Sequence, residues 1–244
     1  MIKQKHRLVG IAVAAMLFSG ATYAATVTNP SLSGSVVITD GGTTTWNFPS
    51  GATYTPNPDG TFTYIGTKPA SSTWSFDWNI TVDPDPLINA TLGITNNTSI
   101  TKHFDILFTL PVGSPFTFGT MNGSMGATFQ DLNNSGLVSL TNVNWSGRID
   151  GVDVMSLTTF DGTCGPGSPG CIGSLGTVSD GPLPSGAVNS NIGIHLAFDL
   201  SAGDRATFTN YFEVVPVPLP AAAWLFGSGL LGLVALARRR KHTS

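Results

Sequence analysis

Trp74–Val82, WSFDWNITV, sets Trp74, Phe76, Trp78, Ile80 and Val82 on one side of an extended chain and Ser75, Asp77, Asn79 and Thr81 on the other. Successive side chains of a strand point to opposite faces, so a strict two-residue period of apolar and polar residues predicts a strand with one face in a core and the other in water. The period recurs at Ile88, Ala90, Leu92 and Ile94, and again at Phe104, Ile106, Phe108 and Leu110. It returns at Ile192, Ile194, Leu196, Phe198 and Leu200, and at Ala206, Phe208, Phe212 and Val214. Less regular strands are expected over 35–39, 44–48, 61–65, 126–130, 138–145 and 149–157, the last bulged at Gly151. Asn96-Asn97, Pro111-Val112-Gly113 and Ser201-Ala202-Gly203-Asp204 supply turns between the runs. About eight to eleven short strands, each polar on one side, predict an all-β fold, an antiparallel β-sandwich. The segment 173–191, GSLGTVSDGPLPSGAVNSN, reads as a long connection before the last two strands.

Both ends of the chain differ from this pattern. Residues 1–24 place Lys3, Lys5 and Arg7 ahead of an apolar run, Leu8 to Phe18, and close on small residues at Ala24, the arrangement of a secretory signal peptide. Residues 214–241 read VVPVPLPAAAWLFGSGLLGLVALARRRK, in which Leu219 to Ala237 carries no charge. As a helix this stretch reaches about 28 Å, close to the ~30 Å hydrocarbon core of a bilayer. Pro218 and Pro220 suit the start of such a helix and Trp224 an interfacial position. Arg238, Arg239, Arg240 and Lys241 keep the far end cytoplasmic, which leaves the preceding domain outside the inner membrane. The expected organisation is therefore a signal peptide over 1–24, an exported sandwich over 25–213 and a membrane-anchoring tail over 214–244, with its helix at 219–237 and its basic end at 238–241.

The tail resembles the PEP-CTERM sorting signal of Gram-negative bacterial proteins, which joins a Pro-x-Pro element, one transmembrane helix and a short arginine-rich end. The likeness covers about the last thirty residues. Val217 and Leu219 stand between the prolines in place of the family's glutamate, as in the VPLPA-type variant of the signal. The resemblance implies that Pro216, Pro218, Pro220, Arg238, Arg239 and Arg240 form the sorting signal. It also implies that an exosortase, a multi-spanning membrane enzyme with a cysteine nucleophile, processes the chain, and that the product reaches the cell surface or extracellular matrix of an organism making exopolysaccharide.

Between the two ends, residues 25–213 are long enough for one domain with a proper core. This segment holds Lys68, Lys102, Arg148 and Arg205 against all fourteen acids, a net charge of −10. Such acidity argues against nucleic acid as a partner, because phosphate binding needs clustered Lys and Arg. Glu213 is the only glutamate, and charged residues make up 10% of the chain against a typical ~25%, so strong helix formers are scarce outside the tail.

Cys164 and Cys171 flank CGPGSPGC, a run of turn formers, and in an oxidising compartment they are expected to form a disulfide. Closing so short a loop is worth about 2.5 kcal/mol in the chain-entropy treatment. Asp131-Leu132-Asn133-Asn134-Ser135-Gly136 places oxygens at positions 1, 3 and 5 and glycine at 6, like the first half of a calcium loop, so Asp131, Asn133 and Ser135 are candidate calcium ligands. Asn142 at position 12 lacks the bidentate carboxylate, and an Asn-rich turn explains the same letters. No other cofactor is expected.

Catalytic motifs are missing from the sequence: GxSxG, HExxH, a phosphate loop and a dinucleotide fingerprint do not occur. Glycoside hydrolysis needs two carboxyls across a cleft, and the acid pairs Asp83/Asp85 and Asp150/Asp153 are neighbours in sequence only. No catalytic residue is expected. Trp46, Trp74, Trp78 and Trp145 would stack on sugars if exposed, although Trp74 and Trp78 share an apolar strand face. The leading expectation is a structural or adhesive surface protein, not an enzyme, associated with exopolysaccharide. A carbohydrate-binding module comes second and a glycoside hydrolase third. Expected partners are an exosortase-like enzyme, exopolysaccharide and the inner membrane.

Overall fold

A computed structural model describes residues 31–217 apart from 40–41, 49–51, 69–70, 72, 159–160 and 166, together with Phe226 and Gly229. The expected signal peptide, the basic tail and nearly all of the 219–237 stretch lie outside the described residues. Among the described residues no helix is long and apolar enough to cross a membrane. The strands there are β1 (Ser33–Thr39), β2 (Thr43–Asn47), β3 (Tyr54–Pro56), β4 (Phe62–Lys68), β5 (Trp74–Asp83), β6 (Leu87–Asn96), β7 (Lys102–Pro111), β8 (Gly119–Asp131), β9 (Val138–Ile149), β10 (Val152–Leu157), β11 (Gly162–Cys164), β12 (Ile172–Ser185), β13 (Asn191–Leu200) and β14 (Asp204–Pro216).

Two antiparallel sheets form the expected sandwich. One runs β10-β9-β13-β7-β1-β2, with β11 beside β10 along the same edge of β9; the other runs β12-β8-β14-β6-β5-β4-β3. The alternation read in Trp74–Val82 is realised directly, because every apolar residue of that run is buried and Asp77, Ser75 and Thr81 are not. Inward faces of the two sheets meet through aromatic rings: Phe104 stacks on Phe198 at 5.4 Å, and Phe198 reaches Phe208 of the opposite sheet at 4.5 Å. Trp145 meets Phe212 across the same gap at 6.1 Å. Gly147 makes room there, since a Cβ on it would lie 2.4 Å from the Phe212 ring.

One buried polar side chain ties the layers together at their end. The Asn96 amide, fully buried, donates to the carbonyls of Ile100, Leu200 and Ser201 and accepts from the Thr98 N–H and hydroxyl. The β6–β7 turn is thus fastened to the β13–β14 turn, and every hydrogen-bonding group of a costly buried amide is satisfied.

Three expectations are corrected. The segment 173–191 is not a connection: Ile172–Ser185 is an edge strand, kept in register along β8 by irregularities between Ser174 and Gly176 and between Asp180 and Leu183. Glycine and proline are tolerated there because an edge strand pairs on one side only. Residues 149–157 do not form one bulged strand, since Asp150 (φ 51°) and Gly151 (φ 81°) make a two-residue hairpin turn between β9 and β10. Finally, the last strand runs past Val214, where its alternation was expected to end; β14 continues through Pro216.

Candidate functional site

The end of β14 is the last strand end before the stretch that the sequence reading expects to be a sorting tail. This strand lies between β8 and β6, and its pairing with β8 runs on to Pro216 opposite Gly119. Beyond it the Val217 N–H still donates to the Phe118 carbonyl at 3.0 Å, while the Val214 N–H donates to the Pro86 carbonyl at 3.0 Å. Pro216, expected as part of a sorting element, is therefore a sheet residue. Pro218, Pro220, Arg238, Arg239 and Arg240 lie outside the described residues. The same end of the sandwich is acidic: burial pushes the Asp83 carboxyl above its usual range, and the charges of Asp85, Asp59 and Glu213 push it further.

At the opposite end, the calcium-like loop and the cysteine loop form one unit. Cys164 and Cys171 are disulfide-bonded with their Cα atoms 6.1 Å apart, joining β11 of one sheet to the start of β12 in the other. The Asp131 carboxylate accepts N–H groups from Ser135, Gly136 and, across in the cysteine loop, Gly170. The Asp131 N–H donates to the Cys171 carbonyl, and the Gly167 N–H to that of Gly136. Burial alone would raise the Asp131 pKa, but the N–H donors of Gly136, Gly170, Ser135 and Asn134 together lower it. Asn133 donates to the Ala202 carbonyl and accepts from the Ser135 N–H, while the Ser135 hydroxyl donates to the Leu137 carbonyl. The Asp131, Asn133 and Ser135 oxygens are thus engaged by backbone groups of this loop and of the cysteine loop. Among the described residues no group of three or more His, Cys, Asp or Glu is placed to hold a metal ion. Asp204, fully buried opposite Asp131 in the β8–β14 pairing, has its pKa raised first by burial and then by the Asp131 charge, against the opposing hydrogen bond of the Ser201 hydroxyl.

The acids weighed for catalysis are held in separate structural arrangements. Asp150 accepts from the N–H groups of Asn189, Ser190 and Asn191 and from the Ser190 hydroxyl, which outweigh the effect of burial and hold its carboxyl well below the usual range. Asp153 pairs with Arg148 at 2.8 Å, and the Asp83 carboxylate accepts the Asp85 N–H at 3.0 Å. Cross-strand register brings His103 to Asp199 at 2.6 Å and His195 to Asp105 at 3.1 Å on the sheet containing β7 and β13. Only the pairing register, which sequence spacing does not contain, would have found them.

Trp74, Trp78 and Trp145 are buried and Trp46 packs against Trp74 and Trp78 as a half-buried ring, so none of the four offers an exposed platform. A cleft of about 200 Å³ does open beside the edge of Trp74, lined by Thr43, Thr44, Thr73 and Lys102. The Lys68 ammonium sits 4.2 Å over the Trp74 ring close by. A second, shallower depression on the outer face of the other sheet is lined by Thr128, Ser174, Thr177, Thr207 and Thr209 above Gly126 and Gly176. No family model matches the sequence, and no curated protein matches it.

Proposed function

We propose that the chain is an exported surface or matrix protein, carried through the inner membrane by a signal peptide, held there by the helix at 219–237 and sorted by a PEP-CTERM-like tail. Its sandwich acts by contact, as a structural or adhesive element beside exopolysaccharide, and performs no covalent chemistry. The observation that carries this reading is the closed, disulfide-stapled sandwich whose last strand leads directly to the uncharged stretch and its basic end. Support also comes from the engagement of Asp83, Asp150 and Asp153 in local structural contacts. The test is mass spectrometry of the mature C-terminus from a host that makes an exosortase, paired with deletion of the gene. A C-terminus trimmed in the 214–244 region and altered cell aggregation or biofilm cohesion are expected. An untrimmed chain with unchanged surface behaviour would overturn the proposal.

Carbohydrate binding is the second reading, favoured by the cleft beside Trp74, where Lys102 and threonine hydroxyls converge. Its test is retention of the purified protein on immobilised neutral and acidic polysaccharides, compared with Thr44→Val and Lys68→Ala variants. Retention lost in both variants supports it, whereas equal retention of all three proteins removes the cleft from consideration.

A further inference from the structure

Three large apolar side chains stand exposed at the end where the chain leaves the sandwich: Phe118 at 62%, Val215 at 42% and Val217 at 49%. Val215 follows buried Val214 on the outer side of β14, Val217 stands two residues on and just past the strand's end, and the hydrogen bond from the Val217 N–H to the Phe118 carbonyl sets Phe118 opposite Val217. We propose that this face rests on the outer surface of the bilayer crossed by the C-terminal stretch, so that the sandwich is seated on the lipid instead of swinging above it. The inference relies on residues 219–237 being the membrane span.

Chain length carries the argument. The backbone stays bonded into the sheet as far as Val217, and the uncharged stretch begins at Leu219. An extended chain advances at most about 3.3–3.6 Å per residue, so Val217 lies within roughly 7 Å of the first residue of the span. A face so tethered meets the headgroup region at high effective concentration, and even a small apolar area then suffices to hold it. A soluble neighbour has no such advantage. The surrounding charge narrows the lipid class: Glu213 lies just before Val215, and Asp59, Asp83 and Asp85 interact at the same end, so anionic headgroups are repelled and zwitterionic ones tolerated.

The test uses the full chain reconstituted in phosphatidylcholine vesicles, with a thiol-linked environment-sensitive fluorophore at Phe118→Cys, at Ala222→Cys within the span, or at Ile100→Cys. Ile100 is 50% exposed in the β6–β7 turn at the opposite end, and the two native cysteines are occupied by their disulfide. A nitroxide-bearing lipid should quench the probes at 118 and 222 by about half or more, as expected for groups at or below the headgroup boundary, and leave the probe at 100 unchanged. Replacing phosphatidylcholine with phosphatidylglycerol at low salt should weaken quenching at 118 only. Quenching at 222 with none at 118 would overturn the proposal while leaving the span intact. No quenching at 222 would refute the span and the seating with it. Shielding at 118 that follows protein concentration instead of the nitroxide lipid would identify a second copy as the occupant and overturn the lipid assignment.

Discussion

Phe208 illustrates how single side chains hold the two layers together. It is fully buried, its ring meets Phe198 of the other sheet at 4.5 Å, and Phe198 in turn stacks on Phe104. Truncation to Ala removes transfer free energy and leaves a cavity between sheets, so Phe208→Ala should lower unfolding free energy by about 3–5 kcal/mol, measured by urea unfolding with an unchanged m-value. Gly147→Ala tests the opposite error. Its new Cβ would meet the Phe212 ring at 2.4 Å, and a loss of about 1–3 kcal/mol from overpacking is expected in the same assay. Two buried acids should give opposite pH behaviour. The Asp204 pKa is raised from 3.8 in the folded protein, so its contribution is full below 3.8 and is lost as pH rises through the raised value. The Asp131 pKa is lowered from 3.8, so its contribution is present above 3.8 and is lost as pH falls through the depressed value. Asp204→Asn should therefore raise the melting temperature at pH 7 and gain nothing at pH 3, while Asp131→Asn should lower it most at pH 7. Melting curves across that range check both signs, and a gain for Asp204→Asn confined to low pH would refute the first.

Among elements, legibility followed the symmetry of burial. Strands β5, β6, β7, β13 and β14 have neighbours on both sides and one face in the core, so their alternation is written plainly in the sequence. β12 was missed because an edge strand with a mostly exposed surface has no apolar period to display, and its glycines and prolines imitate a loop. The Asp150-Gly151 pair was legible as a hairpin turn, yet the apolar residues on either side drew the reading toward one long strand. At the candidate site, the cysteine pairing was readable from spacing and compartment, whereas the use of Asp131 as a link between two loops was not, because Gly170 is far from it in sequence. The bridge also joins strands of different sheets, though it closes only a short loop. Its reduction should lower stability by at most about 2.5 kcal/mol without unfolding the sandwich, so far-ultraviolet circular dichroism should keep its β signature while the denaturant midpoint falls.

On the scale of the whole molecule, the domain's outline depends on Val214, which the alternation already placed in the last strand, and on Val215 and Pro216 beyond it. Val214 is fully buried and its N–H is bonded to the Pro86 carbonyl; Val214, Val215 and Pro216 pair with Met121, Thr120 and Gly119. A soluble form ending at Glu213 would expose the Val214 site, free the start of β8 and leave the Pro86 carbonyl without its donor. Burying a valine side chain is worth about 1.5–3 kcal/mol, and a lost hydrogen bond adds about 1 kcal/mol. A form spanning 25–217 should therefore be more stable than one spanning 25–213 by about 2.5–4 kcal/mol, with both showing a β-rich spectrum. Parallel urea titrations of the two forms measure the difference. Equal midpoints would mean that β14 needs nothing beyond Glu213, and the close junction between the sandwich and the proposed membrane stretch would lose its structural basis.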